Sequence, residues 1–213
     1  MKLATVVVTR SKSCHVKTLH TILQLNIRCI QGGWEQRILF VNDDPYKKAE
    51  MIQDCIKEYD RVLFIDFGIQ VDPESLDQVL KPMDGVGMLV FPGVKEGIDW
   101  EMFKEKVKSD SKEPVTQMGL YFDTDVGKEV SEDIHTVKTS ESRCWVANSK
   151  ILMKVLRDKK TGVFKISPKM DTMFEKFKQS GVKIHAFIKA KLTLTYGHEC
   201  IANILHTSGV KST

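Results

Sequence analysis

Several features are missing from this sequence of 213 residues, and each absence excludes a class of protein. No apolar run has the length that crosses a membrane, because the longest ones are only as long as a strand. The five cysteines form an odd number without a CxxC pair, which argues against a zinc ribbon and a disulfide framework. A reducing compartment is the simplest inference, so we expect a soluble, cytoplasmic protein without a membrane span.

The sequence also lacks the charge pattern of a nucleic-acid-binding protein. Its 32 Lys and Arg residues against 28 Asp and Glu give a net charge of only +4, and the lysines are scattered rather than gathered into a stripe. We therefore expect no nucleic-acid partner, whereas the small positive surplus suits an anionic small ligand. The G-x-G-x-x-G motif of dehydrogenases does not follow the first predicted strand, and there is no internal repeat.

What the sequence does contain is an alternation of strand and helix patterns. Such an alternation predicts an α/β fold with a mainly parallel central sheet flanked by helices. In the first half, strands are predicted at 3–9, 37–41, 62–66 and 85–91, and helices at 15–28, 45–59 and 73–80. In the second half, strands are predicted at 117–122, 135–139, 144–147, 182–188 and 191–196, and helices at 99–107, after Asn148 and at 170–179.

Two helix starts are well marked, since Asp44-Pro45 and Asp72-Pro73 each combine an N-cap acceptor with a proline that needs no N–H donor. The first helix carries an apolar stripe that we expect to face the core. Its members are Val16, Leu19, Leu23 and Ile27. The pair Asp123 and Asp125 precedes a glycine and is interpreted as an exposed turn.

Polar residues follow the ends of several predicted strands. Asp66 is the clearest example, because it comes directly after the buried run 62–65 (VLFI) and before Phe67 and Gly68. Ligands of open α/β sheets bind outside the carboxyl ends of the strands. Asp followed by Phe-Gly is also typical of a plain turn, but the repetition of polar residues at other strand ends favours one common site at this edge.

These strand ends resemble those of the GT-A class of nucleotide-sugar glycosyltransferases over nearly the whole chain. That resemblance implies a GT-A-like (Rossmann-like) single domain over residues 1–206. Residues 1–92 would form the nucleotide-binding half, and residues 93–206 would complete the acceptor and metal sites. The matching segments are 6–10 (VVVTR), 40–44 (FVNDD), 64–68 (FIDFG), 168–174 (PKMDTMF) and 194–199 (LTYGHE).

The chain also resembles the N-terminal glycosyltransferase domain of a larger chlorella-virus protein. This second resemblance implies that the chain is part of a multidomain protein and that residues 207–213 are a tail or the start of a linker. In a virus-infected cell the host cytoplasm would be its location.

The resemblance implies a reaction and a set of site residues. A sugar, a hexose or deoxyhexose, would be transferred from a UDP-sugar to a glycan acceptor with the help of Mn²⁺ or Mg²⁺, which stabilises the leaving diphosphate as a Lewis acid. Asp66 and His198 would hold the metal. The residues expected to bind the donor are Thr9, Arg10, Asp43, Asp44, Asp66 and Phe67.

Three of these assignments have competing interpretations. Asp44 also caps a helix, which makes Asp43 the better nucleotide ligand. Asp171, implied as the catalytic carboxylate that faces the acceptor, is also a first-turn residue that favours the helix dipole. Gly68 stands where the family usually has the second carboxylate of Asp-x-Asp, so the metal motif is degenerate.

Two other functions remain open from the sequence. A nucleotidyltransferase on a related sheet is disfavoured because the residues after the first strand lack its glycines. A catalytically inactive nucleotide-sugar or glycan-binding module is kept open by Gly68. The aromatic side chain of Trp145 is a candidate floor for a sugar subsite, or else part of the core.

Overall fold

The computed structural model describes residues 1–95, 97–157 and 164–195. The helices are α1 (Val16–Gln31), α2 (Pro45–Glu58), α3 (Pro73–Leu80), α4 (Trp100–Lys108), α5 (Ser149–Leu156) and α6 (Met170–Gln179), with a short 3₁₀ helix at Val115–Gln117. The strands are β1 (Lys2–Thr9), β2 (Glu35–Asn42), β3 (Arg61–Ile65), β4 (Ile69–Gln70), β5 (Met88–Val90), β6 (Thr124–Ser131), β7 (Ile134–Ser140), β8 (Cys144–Asn148), β9 (Ile184–Phe187) and β10 (Thr193–Leu194).

Eight of these strands form one sheet in the order β2-β1-β3-β8-β5-β9-β7-β6, and β4 pairs with β10 in a small second sheet. Strands β7 and β8 run against the other six, so the sheet is mixed but mainly parallel. Parallel neighbours need long crossovers, and helices supply them here. The predicted α/β fold, a single domain with helices flanking a mainly parallel sheet, is confirmed.

The core has two parts, one on each face of the sheet. Alternate residues of β1 separate between them, with Ala4, Val6 and Val8 on the face covered by α2, α5 and α6, and Leu3 on the face covered by α1 and α3. Trp145 in β8 is fully buried on the first face, where its ring stacks on that of Phe64 at a centroid distance of 5.2 Å. It therefore packs in the core and does not floor a sugar subsite.

The predicted core-facing stripe of α1 is wrong. Val16, Leu19, Leu23 and Ile27 are all exposed, by 45% to 77%. The buried face instead includes Thr18 and Thr21, whose hydroxyls hydrogen-bond the backbone of the segment around β4: Thr18 donates to the Ile69 carbonyl, and Thr21 accepts from the Val71 N–H. Ile22, Leu25 and Cys29 are buried on the same face as these threonines, so the predicted stripe lies towards solvent.

Two predictions in the middle of the chain are also wrong. Residues 117–122 contain the end of the 3₁₀ helix and irregular backbone rather than a strand. The segment from Asp123 is not an exposed turn, because Asp123 is buried and Thr124 begins β6. The hairpin β6–β7 extends the sheet at the edge farthest from β2.

Among the described residues, none of the helices has both the length and the apolar character needed to span a membrane.

Candidate active site

The residues predicted at the ends of the first three strands lie along one edge of the sheet. Strands β2, β1 and β3 are adjacent and parallel, and Thr9 pairs in register with Asn42 while Val7 pairs with Ile65. The polar residues that follow these positions therefore leave the sheet on the same side. This is the carboxyl edge, where ligands of open α/β sheets bind.

Thr9 joins β1 to β2 at this edge. Its side chain is buried, and its hydroxyl lies 3.2 Å from the Val41 carbonyl oxygen and 3.3 Å from the Asn42 amide oxygen. The backbone continues the contact, since the Asp43 N–H donates to the Thr9 carbonyl over 2.9 Å. Thr9 thus has a clear structural role in placing Asp43, and its predicted contact with the nucleotide stays a prediction.

Asp43 is held by two cations. One carboxylate oxygen accepts from Nε of Arg10 at 2.9 Å, and the other accepts from Nζ of Lys48 at 2.7 Å. Burial by itself would raise the pKa of Asp43, but the hydrogen bonds and positive charges of Lys48 and Arg10 outweigh it and hold the pKa below its ordinary value. Asp43 is therefore ionised at neutral pH and fixes the position of Arg10.

Asp44 caps α2, as the sequence indicated. Its carboxylate accepts from the Lys47 N–H at 2.8 Å, and Pro45 occupies the first turn. The cap explains Asp44 without any ligand, so its predicted part in nucleotide binding stays a prediction of lower weight than that of Asp43.

Phe67 lies between two groups of this edge. The guanidinium carbon of Arg10 is 5.0 Å from the centroid of its ring, and the ring of His15 meets it edge-on at 6.1 Å. A guanidinium over an aromatic face is stabilised by the ring quadrupole. Asp43 and Phe67 together hold the Arg10 guanidinium at the ends of β1 and β3, while its side chain remains 46% exposed.

Asp66 forms an ion pair with Arg143, a residue that sequence reasoning missed. Nε of Arg143 donates to one carboxylate oxygen of Asp66 at 2.8 Å, and the other oxygen accepts from the Phe67 N–H at 2.8 Å. Only 27% of the Arg143 side chain and 16% of the Asp66 side chain are exposed. Strand β8 runs antiparallel to β3 with Cys144 opposite Ile65, and this pairing brings Arg143 to Asp66.

Gly68, at the position of the missing second carboxylate, has two structural reasons to be glycine. Its φ is +76°, in the left-handed region, and a Cβ there would lie 2.8 Å from the carbonyl oxygen of Thr195. The N–H of Thr195 also donates to the Gly68 carbonyl at 3.0 Å. The close approach of these two backbone segments excludes a side chain at position 68 unless one of them moves.

The described residues do not fit a divalent metal at Asp66. Both of its oxygens already accept hydrogen bonds, and one of the donors is a cation that would repel the ion. Within residues 1–95, 97–157 and 164–195, no group of three or more His, Cys, Asp or Glu side chains is arranged to hold a metal. His198, the other predicted ligand, lies outside the described residues.

Asp171 lies in the first turn of α6 and lines a cavity of about 470 Å³. Its carboxylate accepts from the Thr172 N–H at 2.6 Å, and the side chain is exposed. Other residues that line the cavity are Lys95, Phe122, Asp123, Asp125, Glu141 and Glu175. Asp171 thus lines a cavity whose charged residues are mainly acidic.

Asp123 connects this cavity to the ion pair at β3. One of its oxygens accepts from the Gly93 N–H at 3.1 Å and from the Thr124 hydroxyl at 2.8 Å. Burial raises the pKa of Asp123, while hydrogen bonds from Gly93, Thr124 and the Arg143 backbone, together with the Arg143 charge, oppose the increase. Asp123 and Glu141 both line the cavity, and the Glu141 N–H donates to the Asp123 carbonyl at 2.7 Å. Arg143 follows Glu141 by two residues and pairs with Asp66, so this segment links the cavity to Asp66.

The raised pKa of Asp123 predicts a pH-dependent stability. The folded state binds the proton of Asp123 more tightly than the unfolded state, so this residue favours folding at low pH, and that contribution is lost as the pH rises through the folded pKa. Relative to Asp123→Asn, the wild-type protein should therefore lose stability as the pH rises from the ordinary pKa of an aspartate through the raised pKa of folded Asp123, by about 1.4 kcal/mol for each tenfold difference in proton affinity. Urea unfolding at a series of pH values measures this difference.

The exposed Asp125→Asn variant is the control for that experiment. It should follow the wild-type curve across the whole range. A difference between wild type and Asp123→Asn that is constant with pH, or that reverses sign, contradicts the assignment of a raised pKa.

Another cavity, of about 740 Å³, lies at the opposite end of the sheet. It is lined by residues that precede β5 and β9, among them Met83, Gly85, Val86 and Lys183. These are the amino ends of parallel strands, where ligands of open α/β sheets do not usually bind. We assign the candidate site to the carboxyl edge because the paired charges lie there, although the cavity lined by Asp171 at that edge is smaller than this one.

Comparison with known proteins gives similarity to solved structures only. No protein-family model matches the chain, and no curated protein matches it. A mutant of Drosophila β-1,4-galactosyltransferase 7 in complex with manganese, UDP-Gal and xylobiose is 11% identical, with a TM-score of 0.45 over 87% of this chain and 64% of that one. The chain thus spans less than two thirds of that enzyme.

Two further structures match over more of the chain. A glycosyltransferase involved in the glycosylation of the major capsid of PBCV-1 is 10% identical, with a TM-score of 0.44 over 98% of this chain and 99% of that one. The inositol-1-phosphate CTP transferase of T. maritima is 11% identical, with a TM-score of 0.42 over 97% of this chain and 76% of that one. The TM-scores of all three structures are below 0.5, so these similarities carry no conclusion about the activity of the chain.

Proposed function

We propose that the chain is a glycosyltransferase that transfers a sugar, a hexose or deoxyhexose, from a UDP-sugar to a glycan acceptor. The observation that carries this proposal is the fixed Arg10 guanidinium at the carboxyl edge, held over Phe67 and paired with Asp43. A half-exposed cation at this edge suits the diphosphate of a nucleotide, since charged hydrogen bonds to phosphate are strong and directional.

In this proposal the donor lies across the ends of β1, β2 and β3. Arg10 binds the diphosphate, Phe67 lies under the guanidinium, and Asp43 with Thr9 reads the uracil and ribose. Asp44 remains a weaker candidate because its carboxylate caps α2. The preference for UDP comes from the strand-end motifs and their resemblance to glycosyltransferases.

The acceptor would occupy the cavity beside α6. Asp171 would take the proton of the acceptor hydroxyl if the reaction inverts the configuration of the sugar, and would orient the acceptor if the configuration is retained. The proximity of this cavity to Asp66, through Asp123 and Arg143, supports one site with two substrates.

A predicted Mn²⁺ or Mg²⁺ ion at Asp66 and His198 stays a prediction, and the ion pair of Asp66 with Arg143 counts against it. Two other predictions are also untested. One is the division into a nucleotide-binding half at 1–92 and an acceptor half at 93–206, and the other is the place of the chain in a larger protein.

The first test is calorimetric titration of UDP into the wild-type protein and Arg10→Met, each in Mn²⁺ and in EDTA. We expect UDP to bind with a Kd of about 1 μM to 1 mM in at least one condition. Arg10→Met should weaken the binding about 10- to 100-fold, because it removes a charged hydrogen-bond donor. Lys57→Met, which removes an exposed lysine paired with Asp54 near the end of α2, is the control and should bind like wild type.

The same experiment addresses the rival functions. Binding of CTP in preference to UDP would favour a nucleotidyltransferase. UDP binding without release of UDP from any UDP-sugar would favour an inactive binding module. Absence of UDP binding in both Mn²⁺ and EDTA refutes the proposed function.

A further inference from the structure

We infer that the Arg143 guanidinium takes the place of a divalent ion at the end of β3, so that the nucleotide diphosphate binds without a metal. The inference rests on the proposed function, because it concerns how that site holds its donor. It also assigns Asp66 a different task, which is to position Arg143.

The first support is the way in which Asp66 and Arg143 are joined. The Asp66 N–H donates to the Arg143 carbonyl at 2.9 Å, Nε of Arg143 donates to Asp66 at 2.8 Å, and Nη2 of Arg143 donates to the Phe67 carbonyl at 3.3 Å. Backbone and side chain are thus fixed together at a half-buried position. A metal ion at Asp66 would have to displace a cation that the strand pairing of β3 with β8 holds in place.

The second support is Gly68. A carboxylate at this position would give the ion a second protein ligand, but the backbone conformation and the 2.8 Å approach to Thr195 exclude a side chain. Hard divalent ions prefer several oxygen ligands. Position 68 therefore supplies no second carboxylate, and the one carboxylate present, that of Asp66, is paired with a guanidinium.

The third support is the charge around Phe67. Arg10 lies over its ring and Arg143 binds its carbonyl, so two guanidinium groups contact one residue. With Lys48, three cations are hydrogen-bonded to two carboxylates, Asp43 and Asp66. Asp123 also lies beside Arg143. The planar guanidinium groups of Arg10 and Arg143 match the geometry of phosphate oxygens.

The test is UDP titration into the wild-type protein, first in excess Mn²⁺ and then in EDTA. We expect the two Kd values to agree within about twofold. Mn²⁺ is also titrated directly into the wild-type protein and into Asp66→Asn, with binding followed by electron paramagnetic resonance. The two proteins should bind the same amount of Mn²⁺. Both readouts are independent of turnover.

Variants of the ion pair test the role of Arg143. Arg143→Met should weaken UDP binding at least about tenfold in both conditions, and Arg143→Lys, which keeps the charge but not the planar fork, should lose less. Asp66→Asn keeps one oxygen acceptor for Nε of Arg143 and should lose less than Arg143→Met. Circular dichroism identifies any variant that fails to fold, and Lys57→Met again controls for the loss of a positive charge.

The outcomes separate this inference from the proposed function. UDP binding that requires Mn²⁺ overturns the inference and leaves the glycosyltransferase proposal standing. Metal-free binding that Arg143→Met does not weaken overturns the role of Arg143. No UDP binding in either condition refutes the proposed function itself, and the inference with it.

Discussion

If the reaction inverts configuration, Asp171→Asn should lower the turnover of a UDP-sugar by about 10²- to 10⁴-fold and leave UDP affinity within about twofold of wild type. The asparagine keeps the size and the hydrogen bond to the Thr172 N–H but cannot accept a proton from a hydroxyl. The measurement is UDP released from the UDP-sugar that the wild-type protein hydrolyses fastest, with water as the acceptor. Calorimetry with UDP supplies the affinity.

Glu175→Gln is the matched control for Asp171→Asn. Glu175 lines the same cavity one helical turn later and loses the same charge in this variant. Its turnover should stay within about threefold of wild type. Equal losses in the two variants would indicate a general effect of cavity charge, and an active Asp171→Asn would remove Asp171 from the mechanism if the reaction inverts configuration.

Gly68→Asp, which restores the Asp-x-Asp pattern, should destabilise the protein by about 2–4 kcal/mol rather than create a metal site. The new side chain would meet a positive φ and the Thr195 carbonyl oxygen at 2.8 Å, and both costs fall on the folded state. Urea unfolding measures the loss. Titration with Mn²⁺ tests whether a site has formed.

Gly85→Asp separates the cost of a positive φ from the cost of the contact with the Thr195 carbonyl oxygen. Gly85 has a similar φ of +71°, but a Cβ there meets no atom within 4 Å. This control should lose only about 1 kcal/mol, the cost of the left-handed backbone alone. If the two variants lose the same free energy of unfolding, the close approach to Thr195 is not what restricts position 68.

The signals that predicted the fold well are local ones. The Asp-Pro pairs at 44–45 and 72–73 give the observed starts of α2 and α3, because an N-cap acceptor and a proline act within one helical turn. The strand and helix alternation likewise predicted the order β1-α1-β2-α2-β3-α3-β5 in the first half, with end points that differ by a few residues.

The rotation of α1 is a feature that local signals predicted wrongly. Its sequence offers one stripe of four apolar residues and a second face that combines Thr18 and Thr21 with Ile22, Leu25 and Cys29, and periodicity favours the first. The second face is the buried one, and its two hydroxyls hydrogen-bond the backbone of residues 69–71, a segment about fifty residues away. A partner at that distance in the chain leaves no trace in the helix itself.

In the candidate site, too, some features follow from local sequence and others only from tertiary contacts. The amino-acid sequence alone determined that polar residues end β1, β2 and β3, and therefore that Arg10, Asp43 and Asp66 gather at one edge once those strands lie parallel. Only the tertiary structure decided that Asp66 faces Arg143, which lies 77 residues away, and that Gly68 lies against Thr195. The physical reason is that the end of a strand is marked by residues next to it in the sequence. The antiparallel pairing of β3 with the late strand β8 depends instead on how the whole sheet packs.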